Sequence, residues 1–514
     1  MDKLVLLVVL PLLAAFLMPV LARTSQVLAR LSGLSVLLIS IVLVLSVWGD
    51  VDKQAVSFAI GGYQPPLGIV FYIDQLSLLF ALLIPVMVLL FWPWNRLCHI
   101  REYSLLMLLT ASASGLVLSG DLFNIYVFYE LLAVASYGLV AVQVKQGQHP
   151  SVALAASLRY LLLGSVGSVM MLLGIAIIYL QTGTLNLAHL SLLAPDALNN
   201  SIGLSAFALI LIGLGVKAEL FPVNSWVPEV YGAVSTRLSA LMAGLLSKLA
   251  VIVIVRLLVL LFPQPEALHL MTILGMLGVI SGELVAWRAK DMTRMLAFSS
   301  IGQLGLVFIA FSLPGNIGLL AGFAIALHHL VVKPALFMLA EGWSGSLEKL
   351  SGVAKSSPYS AALFVLLAMS LLGIPPLPGF WAKLLLVTNL AAQVEPIYSI
   401  ALVFILLATV LEATYLYRVV LLLYKKDTSS KPSFVRSHTR FDWLTAMGLA
   451  CVLLISVVQL PAVEKKLVAM AYQSGNRFLY IHTVFVRADS NIPVHAQQEL
   501  TPKMPPIPAI GSDS

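Results

Sequence analysis

Charge is what this chain has least of. Asp, Glu, Lys and Arg make up 10% of its 514 residues, against about 25% in a soluble globular domain. That shortage excludes an ordinary water-soluble fold. Cysteine is almost missing, with only Cys98 and Cys451 far apart in the chain. A disulfide framework and a CxxC metal motif are thereby excluded. No GxxxxGK[ST] loop and no complete GxGxxG is present, so the chain has no visible means of using ATP or a dinucleotide. No catalytic residue set, metal site or cofactor is expected. Apolar residues, by contrast, make up 60% of the chain, with a mean hydropathy of +0.99. A membrane helix takes about 20 such residues, which leaves room for a dozen or more crossings.

A net charge of +7 could suggest nucleic acid in a soluble protein. Here the basic residues sit in short loops and report topology instead, so no nucleic-acid partner is expected. The run from Lys3 to Ala22 exceeds the roughly 7–15 residues of a signal-peptide core and reads as the first crossing. Apolar stretches predict about 14 helices. They lie near 3–22, 28–48, 74–93, 103–119, 121–141, 155–180, 202–232, 236–260, 268–287, 292–312, 315–341, 357–392, 398–424 and 441–461. The 49–73 segment, with Gly61-Gly62 and Pro65-Pro66, reads as a short extended loop. From about Asp489 the polar, Pro-rich end reads as disordered.

Loops after odd-numbered crossings hold Arg23, Arg30, Arg96, Arg101, Lys145, Arg288, Lys290, Arg294, Lys349, Lys355, Lys425, Lys426, Lys431, Arg436 and Arg440. Loops after even-numbered crossings hold little beyond Lys53. The positive-inside rule makes the odd loops cytoplasmic and puts both termini outside. Lys465, Lys466 and Arg477 argue against that side for the C-terminal segment.

Two long crossings are interrupted alike. One breaks at Pro222 and Pro228, the other at Pro375, Pro376 and Pro378. Proline removes a backbone donor and disrupts the turn before it. Recurring broken helices point to an ion path, and a lysine flanks each break: Lys217 and Lys383. The stretches 103–260 and 261–424 then read as two structural repeats.

Ionisable residues inside apolar helices are costly and usually functional. Glu130, Lys217, Lys248, His328, His329, Lys333, Lys383 and Glu412 all fall within predicted crossings. Desolvation and opposite charges move lysine and glutamate in opposing directions, so a Glu–Lys pair can exchange a proton when made or broken. Glu130 with Lys217, and Lys383 with Glu412, are the expected pairs. His329 and Lys333, four apart, share a helix face and could relay between the halves. Only one of the adjacent His328 and His329 can face a given channel. Glu283, Arg256 and Arg418 read as snorkelling residues near helix ends. Asp74 and Asp121 read as interface or cap residues.

Seven motifs carry a family resemblance: GGYQPPLGIVFYIDQLS (Gly61–Ser77), DLFNIYVFYELLAVASYGL (Asp121–Leu139), VKAELFPVNSWVPEVY (Val216–Tyr231), AGLLSKL (Ala243–Leu249), KDMTRMLAFSSIGQLG (Lys290–Gly305), HHLVVKPALFMLAEG (His328–Gly342) and GIPPLPGFWAK (Gly373–Lys383). With them, about residues 60–425 resemble the antiporter-like subunits of Mrp-type cation/proton antiporters, respiratory complex I and membrane-bound hydrogenases. The first motif looks most like the D-type subunit of Mrp antiporters.

The resemblance implies an all-α polytopic membrane protein of about 14 transmembrane helices. It implies two inverted five-helix repeats and broken helices 7 and 12. It carries a proton-relay role onto Glu130, Lys217, Lys248, His329, Lys333 and Lys383, with His328, Glu412 and Glu219 as further candidates. Glu219 departs from the family pattern, which has a small or apolar residue there. It either pairs with Lys217 or lies beyond the channel. YGAVSTRL (Tyr231–Leu238) lacks the expected prolines, and the tail from about 462 is long.

The expected divisions are an N-terminal part (1–102), two antiporter-like repeats (103–260 and 261–424), a C-terminal helix with an amphipathic segment (425–488) and a tail (489–514). The expected function is a transporter subunit in a bacterial inner membrane, not an enzyme, that exchanges protons against sodium or potassium beside other membrane subunits. The alternatives are a proton-pumping arm of a quinone- or hydrogenase-linked redox complex, a subunit energising uptake of inorganic carbon, or a scaffold with non-conducting charges.

Overall fold

The long apolar runs form helices, since backbone polar groups in hydrocarbon must be satisfied within a helix or a closed barrel. A computed structural model describes residues 2–94, 100–143, 149–343, 345–425 and 440–488. Arg96, Cys98, Lys145, Lys426, Lys431, Arg436 and the tail expected from Asp489 lie outside them.

The first part holds α1 (Leu6–Thr24), α2 (Gln26–Lys53), α3 (Gln75–Leu90) and α4 (Ile100–Leu118). Between α2 and α3 the expected extended loop is an antiparallel hairpin of β1 (Val56–Ala59) and β2 (Val70–Ile73). Then come α5 (Leu122–Val142), α6 (Pro150–Thr182), α7 (Leu187–Ala197), α8 (Ser201–Lys217), α9 (Val227–Ala233), α10 (Thr236–Leu241) and α11 (Ser247–Leu261). The next group is α12 (Pro265–Arg288), α13 (Met292–Phe311), α14 (Gly315–Ala340), α15 (Val353–Ser356), α16 (Pro358–Leu372) and α17 (Pro378–Ala391). The last is α18 (Pro396–Tyr424), α19 (Arg440–Val458), α20 (Leu460–Gly475) and α21 (Arg477–Ala488).

Among the described residues, ten helices are long and apolar enough to cross a membrane. The expected crossings that fall short have visible reasons. α3 has 16 residues. α4 carries Arg101, Glu102, Ser104, Thr110, Ser112 and Ser114. The other two are cut by their breaks into α8 and α9, and into α16 and α17.

Asparagine and aspartate start several helices. Asp74 accepts from Ser77 N and Asp121 from Asn124 N, capping α3 and α5. Such a cap contributes about 1 kcal/mol. α11, α13 and α14 form the centre and are buried nearly throughout. α2 and α18 turn leucines and valines outward, such as Leu38, Val42, Leu406 and Val410, as lipid-facing helices do.

One end of the bundle gathers the hairpin, α7 and α21. Ser57 donates to Thr483 O at 2.7 Å, Tyr72 stacks on Tyr480, and Arg477 donates to Ser191. Lys466 pairs with Asp52 at 2.6 Å. The C-terminal helices thus lie at the same end as the loop after α2. Two of the basic residues that argued against that end are engaged with Asp52 and Ser191 there. The opposite end is tied by Arg237 with Asp442 at 2.7 Å and by Arg418 donating to Ala289 O.

Candidate functional site

α8 stops at Lys217 because the chain behind it cannot stay helical. Glu219 has φ 58, a left-handed conformation uncommon outside glycine, and Pro222 has no N–H. The freed carbonyls find side-chain donors: Trp226 Nε1 bonds Val216 O at 2.8 Å and Asn224 Nδ2 bonds Glu219 O at 3.3 Å. The helix resumes at Val227, with Pro228 in its first turn. Proline is favoured there because its missing N–H would be unpaired anyway.

Lys217 is buried in an aromatic box. Its Nζ donates to Tyr160 Oη at 3.3 Å. It stands 5.3 Å from the ring centre of Tyr129 and 5.1 Å from those of Tyr137 and Tyr160, within cation–π range. Glu130 is half-buried on α5, and its buried Oε1 has no hydrogen-bond partner. It acts on Lys217 through space. The direct Glu130–Lys217 pair expected from the sequence does not form. The tyrosines wrap the ammonium, and Glu130 points about 100° around α5 from Tyr129.

Glu219 matches neither alternative left by the sequence. It is buried, accepts a hydrogen bond from Tyr231 Oη at 2.6 Å, and has Lys248 and Lys333 as its cationic neighbours. Its Oε2 is unpartnered. It therefore lies on the inner side of the break, toward α11.

Lys248 follows a wide π-turn at Met242–Leu246; such single turns are frequent at functional sites. Its Nζ donates to Ala243 O and to Ser247 Oγ at 3.2 Å, and it pairs with His329 Nδ1. One turn along α14, Lys333 donates to Ser299 Oγ at 2.6 Å. Tyr415 donates to the same oxygen at 2.7 Å. His329 and Lys333 thus share the inner face of α14. His328 faces elsewhere: its Nε2 meets Ser370 Oγ at 2.9 Å, and it lines a cavity of about 570 Å³ with Leu327, Val331, Trp381, Leu385 and Leu453.

At the second break, Gly373 ends α16 with φ 84, Pro375 and Pro376 lie between the helices, and Pro378 opens α17. Lys383 forms an ion pair with Glu412 at 2.6 Å and reaches Leu372 O at 3.5 Å. Gln303 Nε2 donates to the other Glu412 oxygen at 2.7 Å.

Two residues expected to snorkel are buried instead. Arg256 forms an interior pair with Asp74 at 3.0 Å, over the rings of Tyr72 and Tyr480. Glu283 is 2% exposed, and Glu412, Lys333, Tyr415 and Lys383 face it. The missed signal was room: Gly302 on α13 leaves space for the Glu283 carboxyl, with which a Cβ there would collide.

The buried residues thus form one line: Lys217, Glu219, Lys248, His329, Lys333, then Glu283, Glu412 and Lys383. Residues 119–411 match the profile of the family described as NADH:quinone oxidoreductase/Mrp antiporter, TM. The chain belongs to that family. Within it, the chain is 32% identical over 418 residues to the D-type subunit of the Na(+)/H(+) antiporter of Alkalihalophilus pseudofirmus, covering 77% of this chain and 83% of the relative. It is 30% identical over 380 residues to the N-type subunit of the NADH-quinone oxidoreductase of Desulforudis audaxviator, covering 71% of this chain and 74% of that one. Among solved structures, a chain of the membrane-bound sulfane sulfur reductase, an archaeal respiratory membrane complex, superposes with a TM-score of 0.85 at 29% identity. The match covers 94% of this chain and 100% of that one. This family member is accordingly an all-helical, multi-pass, antiporter-like membrane subunit.

Proposed function

We propose that this family member is the proton-translocating subunit of a multisubunit monovalent cation/proton antiporter. The observation that carries the reading is the line of lysines, glutamates and a histidine through the interior, with direct contacts at Lys248–His329 and Lys383–Glu412. Charges of this kind inside a membrane are expensive and retained for transport. Protons would enter at the two helix breaks and pass between Glu130, Lys217, Lys248, His329, Lys333 and Lys383. The fold would comprise 14 crossings and two inverted five-helix repeats, 103–260 and 261–424. The chain would sit in a bacterial plasma membrane beside other membrane subunits, exporting sodium or potassium against entering protons. The 32% identity to an antiporter subunit supports the choice.

A second reading, the proton-pumping arm of a redox complex, is favoured by the similarity to a quinone oxidoreductase subunit and to the sulfane sulfur reductase chain. ΔpH-driven exchange in everted vesicles carrying the native complex separates the two. Sodium, potassium and lithium are added in turn, with Glu130→Gln as control. Cation-dependent loss of ΔpH that disappears in the variant supports the antiporter. No response to any cation, with the complex assembled, sinks that assignment and favours the redox reading.

A further inference from the structure

We propose that Glu283 is a proton-relay residue, the link between Lys333 and the Lys383–Glu412 pair. The inference rests on the proton path proposed above and adds a station to it. Lys333 donates to Ser299, which also accepts from Tyr415. Beyond them stand Glu412 and Lys383, which are bonded to each other, with Gln303 on the glutamate. Lys333 makes its hydrogen bonds to Ser299 and Leu296, on the near side of that pair. Glu283 stands where both groups meet: Lys333 on α14, Tyr415 and Glu412 on α18, and Lys383 on α17 all face its carboxyl. Its Oε2 is buried and has no hydrogen-bond partner, and such an orphan in a closed interior needs a reason.

Two carboxylates facing two lysines in a dry site form a set that holds its protons jointly. When Lys333 gives up a proton, its N–H bond breaks and an O–H forms on Glu283. Lys333 becomes a neutral amine and Glu283 a neutral acid. When Glu283 passes that proton to Glu412, its own O–H breaks and it returns to carboxylate, an O–H forms on Glu412, and Lys383 loses its counter-charge. Lys333 regains a proton from the His329 side. Nothing is consumed, and one proton has moved from Lys333 to the Lys383–Glu412 pair.

The position is held by packing. α12 lies against α13 so closely that Gly302 touches the Glu283 carboxyl. A methyl group at residue 302 would push the carboxyl aside while removing no ionisable group.

The test uses the assembled complex in everted vesicles and compares Glu283→Gln, Glu283→Asp and Gly302→Ala with Glu130→Gln. Complex assembly is checked by co-purification of the other subunits. The expected result is at least a tenfold loss of exchange in Glu283→Gln, partial recovery in Glu283→Asp, and a displaced pH profile in Gly302→Ala. Infrared difference spectra should lose a protonated-carboxyl band in Glu283→Gln that persists in Glu283→Asp. Normal exchange and an unchanged pH profile in both Glu283→Gln and Gly302→Ala, while Glu130→Gln is dead, would overturn this inference and leave the proton path standing. Normal exchange in all variants would overturn the path itself. If Glu283→Gln does not assemble, Gly302→Ala decides: a normal rate and pH profile count against the relay.

Discussion

Buried ion pairs are asymmetric in their energetics, and Lys383 shows the consequence. Its partner Glu412 is 2% exposed, so removing the lysine strands a carboxylate away from water. Breaking such a pair from one side costs about 3–5 kcal/mol. Lys383→Met should therefore lower the thermal midpoint of the purified complex by several degrees. The double variant Lys383→Met with Glu412→Gln should recover most of that loss while exchange stays abolished. A double variant no more stable than the single one would mean that Glu412 is solvated. At the other break, Tyr231→Phe removes the hydrogen bond donated to Glu219, an interaction with a charged group that contributes about 1.5–3 kcal/mol. Exchange should slow while assembly holds, and initial rates in vesicles check it.

The same residue scale shows what a sequence makes legible. Lys217, Lys248, Lys333 and Lys383 stood out because a lysine inside an apolar run has no structural excuse. Glu283 did not, because it lies near the end of its run and only the glycine on the facing helix explains its burial. Arg256 was misread for a related reason: its partner Asp74 is 182 positions away. The Tyr129–Tyr137–Tyr160 box around Lys217 also depends on two helices meeting.

At the scale of elements, proline and polarity announced the two breaks, but the π-turn before Lys248 left no mark in composition. Such a turn takes up one extra residue and leaves α11 beyond it an ordinary helix. Inserting an alanine beside Leu245, a second extra residue that the single turn cannot take up, should rotate Lys248 by about 100°, away from His329. Exchange should fall to background while the other subunits still co-purify. Retained exchange would show that Lys248 works without its histidine. α7 escaped the sequence because its 11 residues are too few to register as a crossing. α20 and α21 are amphipathic, and neither is long and apolar enough to cross a membrane.

For the whole molecule, the sidedness of the C-terminal segment is the exposed question. Lys466 meets Asp52 and Arg477 meets Ser191, so α20 and α21 share an end with the loop after α2. After replacing Cys98 and Cys451 by serine, single cysteines at Lys466 and Lys53 should react with a membrane-impermeant maleimide from one side. A cysteine at Lys355 should react from the other. Labelling of Lys466→Cys from the Lys355 side would overturn the shared end. The prolines and apolar runs read from the sequence located the two breaks and the central helices. They could not register a C-terminal strap that reaches back to the N-terminal hairpin.

The glycines between α12 and α13 have a consequence for how the molecule works. A Cβ at Gly275, Gly282 or Gly305 would fall 2.5–2.9 Å from main-chain atoms of the facing helix. The two backbones are therefore seated on each other with nothing between them to yield. Helices that slide or roll need side chains that can repack, and this seam has none along those positions. It acts as a keel, main chain set against main chain, and Glu283 is mounted on it.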